Sequence, residues 1–137
     1  MINPHTNEKE IIVLDFDGVI HSYTSGWQGA DVANDPPVPG VREFILAAAN
    51  EFKICIISAR SNQSGGIRCM AEYLYNILGL PADVMSEIDF PTHKPPAHLW
   101  IDDRAMCFKG EWPTIQELLD FKPWYKYKSN IPVIDKK

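Results

Sequence analysis

Long hydrophobic runs are missing from this sequence. Nothing approaches the roughly 18 consecutive apolar residues that cross a bilayer, and Met1-Ile-Asn-Pro-His lacks the basic and apolar regions of a signal peptide. Cysteine is sparse: Cys55, Cys69 and Cys107 are odd in number and far apart, and two lie in apolar runs. That pattern points to buried reduced thiols and away from a disulfide framework or a zinc site. Positive charge is also short. With 13 basic residues against 18 acidic the net charge is −5, so no general attraction to nucleic acid or to an anionic membrane is expected. Internal repeats and low-complexity segments are absent too. Together these absences imply a cytoplasmic globular protein. At 137 residues, 45% apolar and 23% charged, the chain suits one core and is too short for two, so a single domain is expected over 1–137.

What the sequence does contain is concentrated in one place. Residues 11–18 read Ile-Ile-Val-Leu-Asp-Phe-Asp-Gly, an apolar run rich in β-branched residues that ends in two carboxylates. The run predicts a strand buried on both faces, central in a parallel sheet. Positions i and i+2 of an extended chain share a face, so Asp15 and Asp17 point the same way. Two such charges repel unless a cation lies between them or one holds a proton.

Further along, 19–38 is mixed in polarity and carries Gly26, Gly29, Pro36 and Pro37, which predicts a loop or flap above the two aspartates. Val41, Phe44, Ile45 and Ala48 are spaced for a helix over about 40–52. A second buried strand is expected over 53–57, ending in Ser58-Ala59-Arg60. Beyond a polar turn, Ile67, Met70, Leu74, Ile77 and Leu78 form the apolar stripe of a second helix that stops at Gly79. Residues 82–85 suggest a short third strand. Leu99-Trp100-Ile101 suggests another, ending in Asp102-Asp103, and Thr114 with Glu117 has the form of a capping box. Strands alternating with helices predict an α/β fold, a single Rossmann-like domain with a central parallel sheet flanked by helices.

Three strands thus end in polar residues: Asp15/Asp17, Ser58/Arg60 and Asp102/Asp103. In an open parallel sheet the ligand crevice lies outside those carboxyl ends. An aspartate beside a cation can attack phosphorus and form an aspartyl-phosphate. Hard oxygen ligands select Mg²⁺, for which Asp15 and Asp102 suffice. Asp17, if protonated, is placed to give a proton to the leaving alcohol and later to activate water. Ser58 is placed to hydrogen-bond phosphoryl oxygens, with Ala59 and Arg60 beside it, and Lys94 is the candidate to balance the remaining charge.

This pattern resembles the haloacid dehalogenase-like (HAD) hydrolases. Their first motif is similar to Asp15-Phe16-Asp17-Gly18-Val19, their second to Ile56-Ile57-Ser58, their third to Lys94 and their fourth to Ile101-Asp102-Asp103, in the same order. The resemblance implies a phosphomonoester hydrolase with Asp15 as nucleophile and Asp17 as general acid/base. It implies Mg²⁺ on the Asp15 and Asp102 side chains and the Asp17 backbone carbonyl, with Asp103 behind them or reaching the metal through water. Valine at 19 replaces a frequent threonine. Asp15 and Ser58 lie 43 positions apart and Ser58 and Lys94 lie 36 apart, too close for an inserted cap domain. A capless site stays open to large phosphorylated substrates, such as a nucleic-acid end or a phosphoprotein, unless a partner subunit supplies a lid.

Each of these residues also has a plainer role. Ser58 can serve only as a cap for the turn after it, Lys94 can be a solvated loop residue, and Arg60 can form a surface ion pair instead of gripping phosphate. His21 and Trp27 sit near the expected site mouth, where Trp27 can stack on a base or simply pack. The tail from Lys122 to Lys137 mixes five lysines with Trp124, Tyr125 and Tyr127; the favoured expectation is that its aromatics pack back on the domain. The competing functional class is a HAD-like module that keeps the metal site without catalysis and serves binding or assembly.

Overall fold

The computed structural model describes residues 1–126, so Tyr127 and the end of the tail lie outside the described residues. Three strands form the sheet: β1 (Ile11–Leu14), β2 (Lys53–Ile56) and β3 (Leu99–Ile101). Their order is β2-β1-β3 and both pairings are parallel, with Ile11 opposite Lys53, Leu14 opposite Ile56, and Leu14 also opposite Ile101. The fold is therefore α/β around a small parallel sheet, with β1 in the middle. Ile12, Val13 and Leu14 are all buried, as a strand covered on both faces requires. Burying each such side chain contributes about 1.5–3 kcal/mol relative to leaving it in water.

α1 (Val41–Ala48) turns Val41 and Ile45 into the core and leaves Phe44 largely exposed. A 3₁₀ turn (Ala59–Asn62) follows β2, and α2 (Gly66–Glu72) runs on into a π-helical turn (Tyr73–Ile77). That turn corrects the expected stripe. The Leu78 N–H reaches back five residues to the Tyr73 carbonyl at 3.0 Å, which widens the helix locally. Tyr73 and Leu74 both face inward as a result, and Ile77, expected in the core, is 57% exposed.

Residues 82–85 are a short helix, α3 (Ala82–Met85), and not a strand. Pro81 precedes it with a backbone suited to a helix start, Asp83 lies in its first turn, and only Val84 is β-branched. The outer edge of β2 is taken instead by Asp89, whose N–H donates to Ile54 and whose carbonyl accepts from Ile56. α4 (Ile115–Asp120) opens with the expected capping box, both bonds between Thr114 and Glu117 being present.

The apolar strand expected at 99–101 is present as β3 and, among the described residues, pairs with β1 alone; Leu99, Trp100 and Ile101 are each at least 36% accessible. The core lies on the side of β1 and β2, where Phe16, Ile20, Ile45, Ile56, Met70 and Leu74 meet. All three cysteines are free thiols, Cys55 buried and Cys107 exposed. Among the described residues no helix is long and apolar enough to cross a membrane.

The 19–38 excursion is a loop, and it is fastened down. Ser22 N–H donates to the Pro36 carbonyl and Val38 N–H to the Ile20 carbonyl, so the two ends of the loop run side by side.

Candidate active site

The strand ends meet at one edge. Asp15 continues the β1 ladder by donating its N–H to the Ile101 carbonyl at 3.0 Å, while the Ile57 N–H donates to Leu14 at 3.2 Å. This pairing carries the end of β3 to the end of β1 and brings Asp15, Asp102 and Asp103 together. One carboxylate oxygen from each lies within 4.8 Å of the others. Burial first, then a shared hydrogen bond with Asp103 and the charges of Asp102 and Asp103, push the Asp15 carboxyl up to about 8. One oxygen of Asp103 is buried with no hydrogen-bond partner among the described residues. Three crowded carboxylates with an orphaned oxygen are a fit donor set for a small hard cation. Asp15 and Asp102 thus lie together as the resemblance implies, and Asp103, expected behind them, stands as close as they do to one another.

Gly18 makes this crowding possible. It adopts φ +84°, and a Cβ there would strike the Asp103 carboxylate and come within 2.8 Å of the Tyr125 ring.

Asp17 faces Arg60 and His21. Arg60 Nε donates to Asp17 Oδ2 at 2.8 Å and Nη2 to Oδ1 at 3.0 Å, the bidentate geometry that suits guanidinium and carboxylate. His21 Nδ1 lies 2.8 Å from Asp17 Oδ1, and its Nε2 accepts the Asp35 N–H at 3.0 Å, so Nδ1 carries the hydrogen. Burial alone would raise Asp17, but the hydrogen bonds from His21 and Arg60 and the Arg60 charge outweigh it and hold the carboxyl below its ordinary value.

Arg60 is fully buried, which differs from both sequence readings, a phosphate clamp or a surface ion pair. Its Nη1 donates to the carbonyls of Gly29, Ala30 and Val32 at 2.8–3.1 Å, bolting the loop above the site to the end of β2. Its guanidinium also packs between Phe16 and Trp27, 5.3 and 5.0 Å from the ring centres. Buried to this degree, the guanidinium presents no open face to a substrate. Ala59 opens the 3₁₀ turn, and Gly66 sits where a Cβ would strike the Arg60 carbonyl, so the turn closes tightly.

The Ser58 hydroxyl caps that turn, accepting the Arg60 N–H at 2.9 Å, and its hydrogen meets only the Met70 sulfur at 3.4 Å. A weak acceptor of this kind leaves the hydroxyl hydrogen easy to redirect. Lys94 places its ammonium over the Trp100 ring on β3, 5.3 Å from the centre. Among the described residues it forms no ion pair with the clustered carboxylates.

Of the tail aromatics, Trp124 and Tyr125 pack back as expected, and Tyr127 lies outside the described residues. Trp124 Nε1 donates to the Gly18 carbonyl at 2.6 Å, and Tyr125 is buried against Gly18 and Asp103. Tyr23 and Arg104 also reach this edge. Arg104 directly follows the paired acids, a position that offered a signal; Tyr23 sits in loop sequence and offered none. No family model matches the sequence, and no curated protein matches it significantly.

Proposed function

We propose that this chain is a Mg²⁺-dependent phosphomonoester hydrolase of HAD type, built as a capless Rossmann-like domain. The carrying observation is the convergence of Asp15, Asp102 and Asp103 at the carboxyl edge of a parallel sheet, with the Ser58 hydroxyl at the end of the neighbouring strand. Asp15, Asp102 and Asp103 would hold the cation. When bound, it neutralises the carboxylates and the incoming phosphate so that two anions can approach.

An Asp15 oxygen then attacks phosphorus, the new O–P bond forms as the ester P–O bond breaks, and the leaving oxygen takes a proton from solvent water and departs as the alcohol. Water next attacks the acyl phosphate, giving inorganic phosphate and restoring Asp15. Ser58 hydrogen-bonds a phosphoryl oxygen, and Lys94 swings from Trp100 to the phosphate. Asp17, held ionised by Arg60 and His21, is suited to take the proton of the attacking water. Donating a proton to the leaving oxygen requires Asp17 protonated, and its two partners oppose that. The resting contacts thus support the base half of the expected role.

The same two contacts, Asp17 on Arg60 and Lys94 on Trp100, favour a second reading: a non-catalytic HAD-like metal-binding or assembly module. A screen of phosphate monoesters with Mg²⁺, run beside Asp15→Asn, separates the two. Turnover that EDTA and the variant both abolish supports the hydrolase, whereas Mg²⁺ binding without any turnover supports the module.

A further inference from the structure

A cleft opens beside the aspartate cluster. It encloses about 510 Å³ and is lined chiefly by Tyr23, Trp27, Arg104, Trp124, Tyr125 and Lys126. Four aromatic rings and two cations line it, with no acid among them, in a chain whose net charge is −5. We propose that this cleft holds the base of a nucleotide whose phosphomonoester reaches Asp15, so that the substrate class is a nucleotide phosphate. The proposal rests on the phosphomonoesterase reading and adds the part of the substrate that is recognised.

Three features support it. The cleft is continuous with the reacting edge on both sides: the Arg104 N–H donates to Asp102 Oδ1 at 2.7 Å, and Tyr125 packs against Asp103 and Gly18. On the other side the Trp27 ring lies on the Arg60 guanidinium that grips Asp17, yet it remains 48% exposed, leaving ring surface open for stacking.

Tyr23, on the cleft wall, is held at φ +61°, a left-handed conformation that is an outlier for a bulky side chain. It directs the ring edge-on to Tyr125 at 5.7 Å. Backbone strain of this kind persists where surrounding contacts enforce it, often at ligand sites.

Arg104 gives one guanidinium nitrogen to the Tyr125 hydroxyl at 3.0 Å, and no other acceptor among the described residues takes its remaining donors. An exposed fork beside the aspartate cluster suits an oxygen of the phosphate ester itself, next to the rings that would take the base. The volume also suits a base and sugar better than a folded partner.

The test compares turnover with Mg²⁺ of adenosine monophosphate, ribose 5-phosphate, a phosphotyrosine peptide and an oligonucleotide bearing a terminal phosphate. The base subsite predicts kcat/KM at least tenfold higher for adenosine monophosphate than for ribose 5-phosphate, mostly through KM. Free adenosine then inhibits competitively. Trp27→Ala lowers the preference fivefold or more, and Trp27→Phe restores most of it. An oligonucleotide that equals or exceeds the mononucleotide identifies a strand end as the source, and one that falls below it identifies the free nucleotide; both support the subsite. Equal use of ribose 5-phosphate with no inhibition by adenosine overturns the subsite alone, as does preference for the phosphotyrosine peptide. If no ester is turned over, the hydrolase reading fails. The subsite is then judged by adenosine quenching of tryptophan fluorescence in the unaltered chain: quenching upholds it, and no quenching overturns it.

Discussion

Arg60 holds Asp17 by two parallel bonds of 2.8 and 3.0 Å, and the same guanidinium holds three carbonyls of the loop above the site. One buried side chain therefore ties the end of β1, the turn after β2 and the 19–38 loop together. Removing one partner of such a pair leaves an uncompensated buried charge. Arg60→Met is expected to lower unfolding free energy by about 3–5 kcal/mol in urea titration. Arg60→Lys should recover little, since a single ammonium cannot reproduce the fork. A loss below about 1 kcal/mol would show that the network carries little of the fold.

Asp15 sets the pH dependence of the metal-free protein. Its carboxyl ionises at about 8 in the folded chain against an ordinary 3.8, so the folded state holds more protons between those values. Its support for the fold is complete below about 4 and is lost as pH rises through about 8. Asp17, held low, works in the opposite sense: its support is present above the ordinary carboxylate value and is lost on acidification. Denaturation midpoints without divalent ions should fall from about pH 5 to about pH 9. Asp15→Asn should flatten that fall, and Mg²⁺ should raise the alkaline midpoint of the unaltered chain only. Parallel profiles for the two proteins would remove Asp15 as the cause.

Ser58 has a structural and a chemical task that one substitution can separate. Loss of its cap on the Arg60 N–H should cost about 1 kcal/mol of stability in Ser58→Ala. Loss of its phosphoryl contact should lower kcat/KM a further ~10-fold, measured where the variant is fully folded. Unchanged turnover beside the stability loss would leave Ser58 as a cap only.

Lys94 makes the more exposed contact, its ammonium over Trp100. Lys94→Met should cost no more than about 1 kcal/mol of stability, as an exposed cation–π contact does. Its effect on turnover should be far larger, ~100-fold in kcat/KM, if it moves to the phosphate. Turnover within twofold of the unaltered chain would remove it from the reaction.

The parallel strands and the edge where they end were legible because β-branched runs and the acids that close them are local signals. Ile11–Leu14 and Lys53–Ile56 lie where their composition puts them. The π turn was hidden because it moves the helical stripe by one residue without leaving a mark in the sequence, which is how Ile77 came out and Tyr73 went in. α3 was hidden because a run as short as Ala82-Asp83-Val84-Met85 reads as either element until the edge of β2 proves to be taken by Asp89. At the site, residue types and spacing placed Asp15, Ser58, Asp102 and Asp103 at the strand ends, while Lys94 lies on Trp100 and Tyr23 left no signal. Types and spacing did not reveal pairing: that Arg60 binds Asp17, and that Asp103 turns toward Asp15, depends on contacts between residues more than 40 positions apart.

The central claim is that Asp15 receives the phosphoryl group. Acid quenching during turnover of an aryl phosphate with Mg²⁺, followed by mass measurement of the peptides, tests it most directly. The account predicts one phosphoryl group on the peptide that contains Asp15, absent with EDTA and absent in Asp15→Asn. Undiminished turnover by Asp15→Asn, or a phosphoryl group on a different residue, would contradict it.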